Sequence, residues 1–444
     1  MFSTFRNAWK IPDLRRRILF TIMMLVVFRF GAHIPVPFLS PDAMKAFLGA
    51  GGTDLFSLFD VFTGGAFSNA TVMALGVSPY INASIIIQLL TVAIPSLERL
   101  AKEGVEGRKK LNKITRYLGI VLAFVQGAGL YVTLYNMSVT NGINAITNPG
   151  VLAFFVIVLT FTAGTAFIVW LGERITEKGL GNGVSLIIFA GIVSRIPSAA
   201  VSIYRQFLAT GITVKGIAIS AAIVIVAVAA IAFVVWFSDS ERRIPVQYAK
   251  RVVGRKMYGG QSTNIPIKIA AGGVMPIIFA SSIMAFPATI VRLVSGGNMP
   301  TNNSVGGILL GCLSAGYGPN WTDIVYAVIY FLLIIFFTYF YSTIQFNPIE
   351  ISNNIKKNGG FIPGIRPGKP TSDYIAKVTS RLNLIGAIFL GIIAIMPVVF
   401  GAVFNMPGLQ LGGTSLLIME GVALETVRQI ESQMVMRHYH GFLE

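Results

Sequence analysis

Side chains able to do acid–base or metal chemistry are scarce in this 444-residue chain, which carries three His, one Cys and 18 Asp or Glu. His33 closes the first apolar run and His438 and His440 lie at the C-terminus, so no metal-ligand spacing arises. Cys312 stands alone in a Gly/Asn-rich stretch, with no intrachain partner for a disulfide and no ligand neighbours. Gly181-Asn182-Gly183 lacks the spacing and the Lys-Ser/Thr of a phosphate loop. With no paired carboxylates and no nucleophile beside a base, the chain is expected not to be an enzyme and to need no cofactor or metal. An ion-coupled transporter of a small solute, the alternative class, needs ionisable groups deep in the bilayer. Glu420, about ten residues into the last apolar run, meets that description, either protonated or facing a watery cavity. Arg29, near the outer end of the first run, can snorkel to the interface.

The elements that must position these residues are dictated by hydropathy. Hydrophobic residues make up 54% of the chain, charged residues 12%, and the mean hydropathy is +0.72. Uncharged stretches run from Tyr117 to Gly172, Gly216 to Ser238, Ile269 to Val291, Ile324 to Ile349 and Leu382 to Met419, where a bilayer crossing needs only ~20 apolar residues. With Pro, Gly and Asn as punctuation, spans are predicted near 18–36, 72–97, 117–136, 151–172, 180–199, 216–237, 269–291, 323–346, 381–401 and 411–431. If the N-terminus is cytoplasmic, 29 of the 35 Lys and Arg fall on the inside, which favours an even span count with both termini inside. The net charge of +17 is thus topological rather than a sign of soluble nucleic-acid binding. Met1 to Arg17 is basic and the first apolar run ends in Pro35-Val36-Pro37 without a cleavage pattern, so the first helix is expected to be retained.

Two features exceed simple topology. The loops 239–268 and 347–377 are long, basic and broken by Gly and Pro; they read either as topogenic charge or as a docking surface for a large acidic partner. The segment from Asp54 to Phe62 is apolar at 55, 56, 58, 59, 61 and 62 but too short to span. Thr63-Gly64-Gly65-Ala66 then interrupts it before a helix expected to start near Thr71. Such a broken helix is either a plug or re-entrant segment, or an amphipathic segment on the outer leaflet.

Motifs in order along the chain carry a resemblance: the run Ala74-Leu75-Gly76-Val77-Ser78-Pro79-Tyr80-Ile81-Asn82-Ala83-Ser84 through Gln88-Leu89-Leu90, Trp170-Leu171-Gly172-Glu173 with Gly181-Asn182-Gly183, Tyr248-Ala249-Lys250-Arg251, Gln261-Ser262-Thr263, Gly364-Ile365-Arg366-Pro367-Gly368 and Gly412-Gly413-Thr414-Ser415-Leu416-Leu417-Ile418. Together they resemble the bacterial SecY family, the central channel subunit of the Sec protein translocase. The resemblance implies an all-α polytopic membrane protein of ten transmembrane helices, arranged as two inverted pseudo-symmetric five-helix halves around a central pore. Residues 1–200 would form the N-terminal half, with helices one to five and a plug at 54–66. Residues 201–444 would form the C-terminal half, with helices six to ten and the two long cytoplasmic loops.

By motif matching, the same resemblance places a pore ring at Val77, Ile81, Val184, Ile188, Ile278 and Ile418. Val77 and Val184 depart from the isoleucine common at these places in the family. Helical geometry sets Glu420 about 200° round from Ile418, away from that ring. The plug would include Phe59, Phe62, Gly64 and Gly65, and a lateral gate would be lined by Ser84, Gln88, Ser282 and Phe286. The basic loops would dock the SecA ATPase or ribosomal RNA phosphates through Arg242, Arg243, Lys250, Arg251, Arg255, Lys256, Lys356, Lys357, Arg366 and Lys369. Partners implied are SecE and SecG, SecA, the ribosome, signal peptides and nascent chains, and membrane lipids. The implied location is the bacterial plasma membrane, and the implied function is passage of unfolded secretory polypeptides with lateral release of hydrophobic segments.

Overall fold

The computed structural model describes residues 6, 8–49, 60–141, 145–207, 214–248, 251–253, 256–258, 262–269, 272–294, 305–313, 320–404 and 413–440. Helices dominate: α1 (Pro12–Gly31), α2 (Pro41–Gly49), α3 (Ser78–Ala93), α4 (Pro95–Lys102), α5 (Val105–Asn141), α6 (Val151–Lys178), α7 (Gly183–Ser194), α8 (Ile196–Phe207) and α9 (Val214–Ser238) precede four strands. These are β1 (Glu241–Tyr248), β2 (Arg251–Val253), β3 (Lys256–Tyr258) and β4 (Ser262–Lys268). There follow α10 (Met275–Val294), α11 (Val305–Leu313), α12 (Asn320–Gln345), α13 (Pro348–Lys357), β5 (Gly360–Phe361), α14 (Lys369–Phe404) and α15 (Gly413–His440). A helix lies over each of the ten apolar runs. Among the described residues, Val105–Asn136, Val151–Lys178, Trp321–Lys357 and Lys369–Met396 are each long and apolar enough to cross a membrane alone. The pair α3 and α4 passes the same test together, bent by 102°.

That bend has a local cause. Ile94 precedes Pro95, and the proline ring pushes its predecessor out of the helical region; Ile94 is extended at φ −109°, ψ 115°. The start of α3 corrects the expectation of a helix from about Thr71. Gly76 sits at φ +57°, a conformation that interrupts a right-handed helix, and the helix begins only at Ser78 with Pro79 in its first turn. At other ends the chain supplies side-chain caps. Asn182 accepts from the Val184 and Ser185 N–H groups at 3.1 and 3.4 Å, and Asn347 does the same for Ile349 and Glu350.

Contacts divide the chain into two compact units. The first comprises Met1–Ile217, Ser282–Tyr326 and Gly421–Glu444. Its core joins α2, the segment from Phe67 to Leu75, α5 and α6, with Phe67, Leu134, Ile157 and Phe161 essentially inaccessible. The helices meet through small residues, as expected where lipid is as apolar as the interface and close packing must supply the attraction. Gly127 of α5 lies against Val158, Gly119 against Tyr80, and Gly164 of α6 against the Val72 carbonyl. Threonine hydroxyls in the helices bond back to the carbonyl four residues earlier. Two of them do more: Thr21 also accepts from the Leu180 N–H at 3.1 Å and Thr176 from the Gly183 N–H at 2.9 Å. Together they fix the turn between α6 and α7.

The second unit comprises Ala218–Ser281 and Ala327–Glu420. Within it Phe237 stacks on Phe389 at 3.6 Å between centroids, Phe279 meets Phe337 edge-on, and Gly391 lies against the ring of Phe331. Here the two basic loops, read from the sequence only as topogenic charge or a docking surface, carry secondary structure. β1 pairs antiparallel with β4, Ile244 opposite Ile265 and Val246 opposite Thr263. β5, from the second loop, adds to the other side of β1 at Gln247 and Tyr248. Ile244, Val246, Ile267, Ile355, Ile362 and Ile375 form a small separate core under this sheet, α13 and the start of α14. Loops far apart in sequence thus make one folded module.

Candidate functional site

The broken segment after the first helix is held in place by backbone contacts that only glycine permits. Asp60–Phe62 is the last described piece of helix, and the chain then turns through Gly64 at φ +66° and Gly65 at φ +88°. A side chain at Gly64 would run into Ser194, Arg29 and the Gly191 carbonyl; one at Gly191 of α7 would overlap the Phe62 carbonyl oxygen. Around this contact lie charged groups. The Arg29 guanidinium donates to the Gly64 carbonyl at 3.0 Å, so it turns onto the broken segment, where the sequence suggested snorkelling. Arg195, capping the end of α7, pairs with the buried carboxylate of Asp60. The other Asp60 oxygen accepts from the Ser68 N–H at 2.8 Å. Phe59 and the rest of 50–59 lie outside the described residues.

Four ring candidates belong to the first unit. Val77 caps α3 and its carbonyl accepts from Ile81 N–H at 3.0 Å, the first rung of that helix. Val184 and Ile188 are one turn apart on α7, and Val184 packs against Gly172 of α6. Val77 and Ile188 are buried; Ile81 and Val184 are half-buried. Ile278 of α10, half-buried, and Ile418 of α15, buried, belong to the second unit. Of the gate candidates, Gln88 donates to Ser84 one turn earlier at 3.3 Å, giving α3 a polar strip. Ser282 is half-buried on α10, and Phe286 lies one turn further along that helix.

On the loop module, Arg242, Arg243, Lys356, Lys357, Arg366 and Lys369 are all exposed. Arg366 stands in a turn between Gly364 at φ +82° and Gly368 at φ +105°, its carbonyl accepting from Thr371 at 2.9 Å and that of Gly368 accepting from Ser352 at 2.8 Å. These bonds give the guanidinium a fixed base. Arg251 and Lys256 lie on the β2–β3 hairpin, while Lys250 and Arg255 fall outside the described residues.

Glu420, 6% exposed on α15, accepts from Ser238, and its Oε1 has no hydrogen-bond partner. Among the described residues no group of three or more His, Cys, Asp or Glu could hold a metal. The Asp60–Arg195 pair, Arg29 on Gly64 and the loop sheet were not foreseen. The alternation in Ile244-Pro245-Val246 and Ile265-Pro266-Ile267 was a readable strand signal; nothing local in the sequence joins residue 60 to residue 195.

Long apolar helices, an interrupted span packed on glycine and a basic folded module are the features of a polytopic membrane protein. The SecY family model matches residues 71–427. The chain is 45% identical over 453 residues to the protein translocase subunit SecY of Mycobacterium tuberculosis, each chain covered in full. Its fold is similar to that of a SecY whose plug domain stabilises the closed state of the translocation channel and maintains a membrane seal, at TM-score 0.66, 20% identity, and 97% and 96% coverage. It is also similar to Sec61 in the canine ribosome–channel complex from the endoplasmic reticulum, at TM-score 0.65, 19% identity and the same coverages. The chain belongs to the SecY family: it is a membrane protein and a protein-conducting channel subunit, not an enzyme.

Proposed function

We propose that the chain divides near residue 200 into two inverted five-helix halves whose ring of Val77, Ile81, Val184, Ile188, Ile278 and Ile418 seals a central pore. A narrow aliphatic neck dewets and so blocks ions, while it has no charge or hydrogen-bond preference among passing sequences. The segment around Phe62, Gly64 and Gly65 is the plug on the outer side of that neck. The observation that carries this reading is the irregular backbone from Thr63 to Val77, packed between α1, α6 and α7. Non-helical backbone in a membrane protein is tolerated where it is buried in protein or lines a cavity. Ser84, Gln88, Ser282 and Phe286 line a lateral exit, where a signal helix partitions between pore and lipid at ~0.8 kcal/mol per CH₂.

The termini and the loop module face the cytoplasm of a bacterial cell, SecE and SecG complete the channel, and SecA or the ribosome supplies direction. The exposed Arg and Lys of the module suit polyanionic rRNA or an acidic motor surface, and the Sec61 relative is itself found in a ribosome complex. Reconstituted vesicles supplied with SecA and ATP test this. They should import a secretory precursor, and Arg366→Glu should depress that import without changing insertion of the channel itself. Vesicles that pass no precursor overturn the proposal, and normal import by Arg366→Glu removes the docking role of the turn.

A further inference from the structure

We infer that Asp60, Arg195 and Arg29 form a two-point latch that sets how strong a signal sequence must be to open the channel; the inference rests on the plug reading above. Asp60 is the one charged residue between 60 and 97, and its side chain is only 5% exposed. The two carboxylate oxygens are engaged separately, since Oδ1 accepts from Ser68 N–H within the broken segment and Oδ2 pairs with Arg195 of the neighbouring helix end. The first bond travels with the segment; the second must break when the segment leaves.

The same holds at the other point. Arg29 ends α1 and donates to the Gly64 carbonyl at 3.0 Å, between the φ-positive glycines and beside Ser194 and Gly191 of α7. Arg29 belongs to α1 and Arg195 caps α7, while both acceptors belong to the broken segment. Moving the segment therefore separates a buried carboxylate from its cation and strips a carbonyl of a charged donor, contacts that strengthen the closed state alone. A ligand opens a two-state device only by its differential affinity for the open form. The latch thus fixes the minimum affinity that an arriving apolar signal must bring.

The test uses the full chain in its membrane complex, reconstituted in planar bilayers and vesicles. Asp60→Asn keeps an acceptor for Ser68 and removes the charge; Arg195→Gln removes the partner. Arg195→Gln leaves the buried Asp60 carboxylate without its cation and Asp60→Asn leaves Arg195 without its anion, so each should raise resting ion conductance, by about tenfold or more. Each should also pass precursors whose signals have shortened apolar cores. The double variant should leak no more than either single one, and Arg195→Lys should restore a tight channel. Unchanged conductance in a monodisperse Asp60→Asn complex overturns the latch, as do effects that multiply in the double variant or an Arg195→Lys that leaks like Arg195→Gln. Phe62→Gly separates the two levels: if it leaks while Asp60→Asn does not, the latch alone falls, and if neither leaks the plug reading falls with it.

Discussion

Replacing Gly191 by Ala adds one methyl group at the point where α7 meets the broken segment. The new Cβ would overlap the Phe62 carbonyl oxygen, with its carbon at 3.0 Å and the Gly64 nitrogen at 3.3 Å. Ordinary van der Waals contacts lie at ~3.5–4.0 Å and the carbonyl oxygen is the nearest of the three atoms, so the segment has to retreat by about 1 Å or more. Overpacking of this kind costs about 1–3 kcal/mol. The clash exists only while the segment is seated, so the whole penalty enters the equilibrium between seated and displaced forms. The resting open population should therefore rise by about 5–150-fold. A second effect has the opposite sign and a different readout. Ala is favoured over Gly inside a helix by about 0.5–1 kcal/mol, and α7 is helical whether or not the segment is seated. That gain cancels in gating and appears in thermal unfolding. Single-channel recording in planar bilayers should show frequent openings without substrate, with a melting temperature equal to or above that of the parent. Unchanged resting conductance would refute the packing argument. A lowered melting temperature with no leak would show that the strain is borne by the fold instead of the gate.

Val246 is fully inaccessible in the small core beneath the loop sheet, so Val246→Asp buries a lone carboxylate and should destabilise that module by roughly 3–5 kcal/mol. Limited proteolysis should then cut within 239–268 and 347–368 while α12 and α14 stay protected; an uncut module would refute the assignment of this core. Asn383 donates to Ser342 at 2.6 Å, yet its Oδ1 is buried without a hydrogen-bond partner. Asn383→Leu loses a bond worth ~0.5–1.5 kcal/mol but removes an unsatisfied acceptor costing ~1–3 kcal/mol, so unfolding should show a neutral or stabilised protein. A large loss of stability would mean that the amide has a role beyond this bond.

The membrane-spanning layout was legible because lipid imposes one strict rule. Backbone groups in hydrocarbon must be paired within the segment, so uncharged runs of sufficient length announce helices, and a helix does lie over each of them. Helix starts were less legible. Thr71 to Val77 is apolar enough to read as the first turns of α3, but a left-handed Gly76 and the approach of Gly164 to Val72 decide otherwise. The first is a backbone conformation that the apolar pattern does not register, and the second is a contact between residues far apart in sequence. The basic loops were read for charge alone, which concealed the period-two alternation that seats Ile244, Val246 and Ile267 inside. Pro245 looks hostile to a strand, yet β5 reaches only Gln247 and Tyr248, so Pro245 has no β5 partner and is tolerated beside an open edge.

Charge was the least transparent part of the site. Arg29 in the first apolar run reads as a residue displaced toward the interface, and nothing local in the sequence marks Arg195 at the end of the fifth. In the folded chain each grips a backbone or carboxylate oxygen of the broken segment. The reason is general for a conduit that must accept many sequences. A fixed charge lining the path would bind some passing segments and repel others, so its energetic value is better used against the channel's own backbone, where it is neutralised at rest. Asp60 follows that logic, buried and doubly engaged. Glu420 does not, since its Oε1 stays without a hydrogen-bond partner in a buried position. Glu420→Gln keeps the shape and removes the charge. It should leave resting conductance unchanged if Glu420 takes no part in the seal, and an increased leak would place this carboxylate among the groups that hold the channel shut.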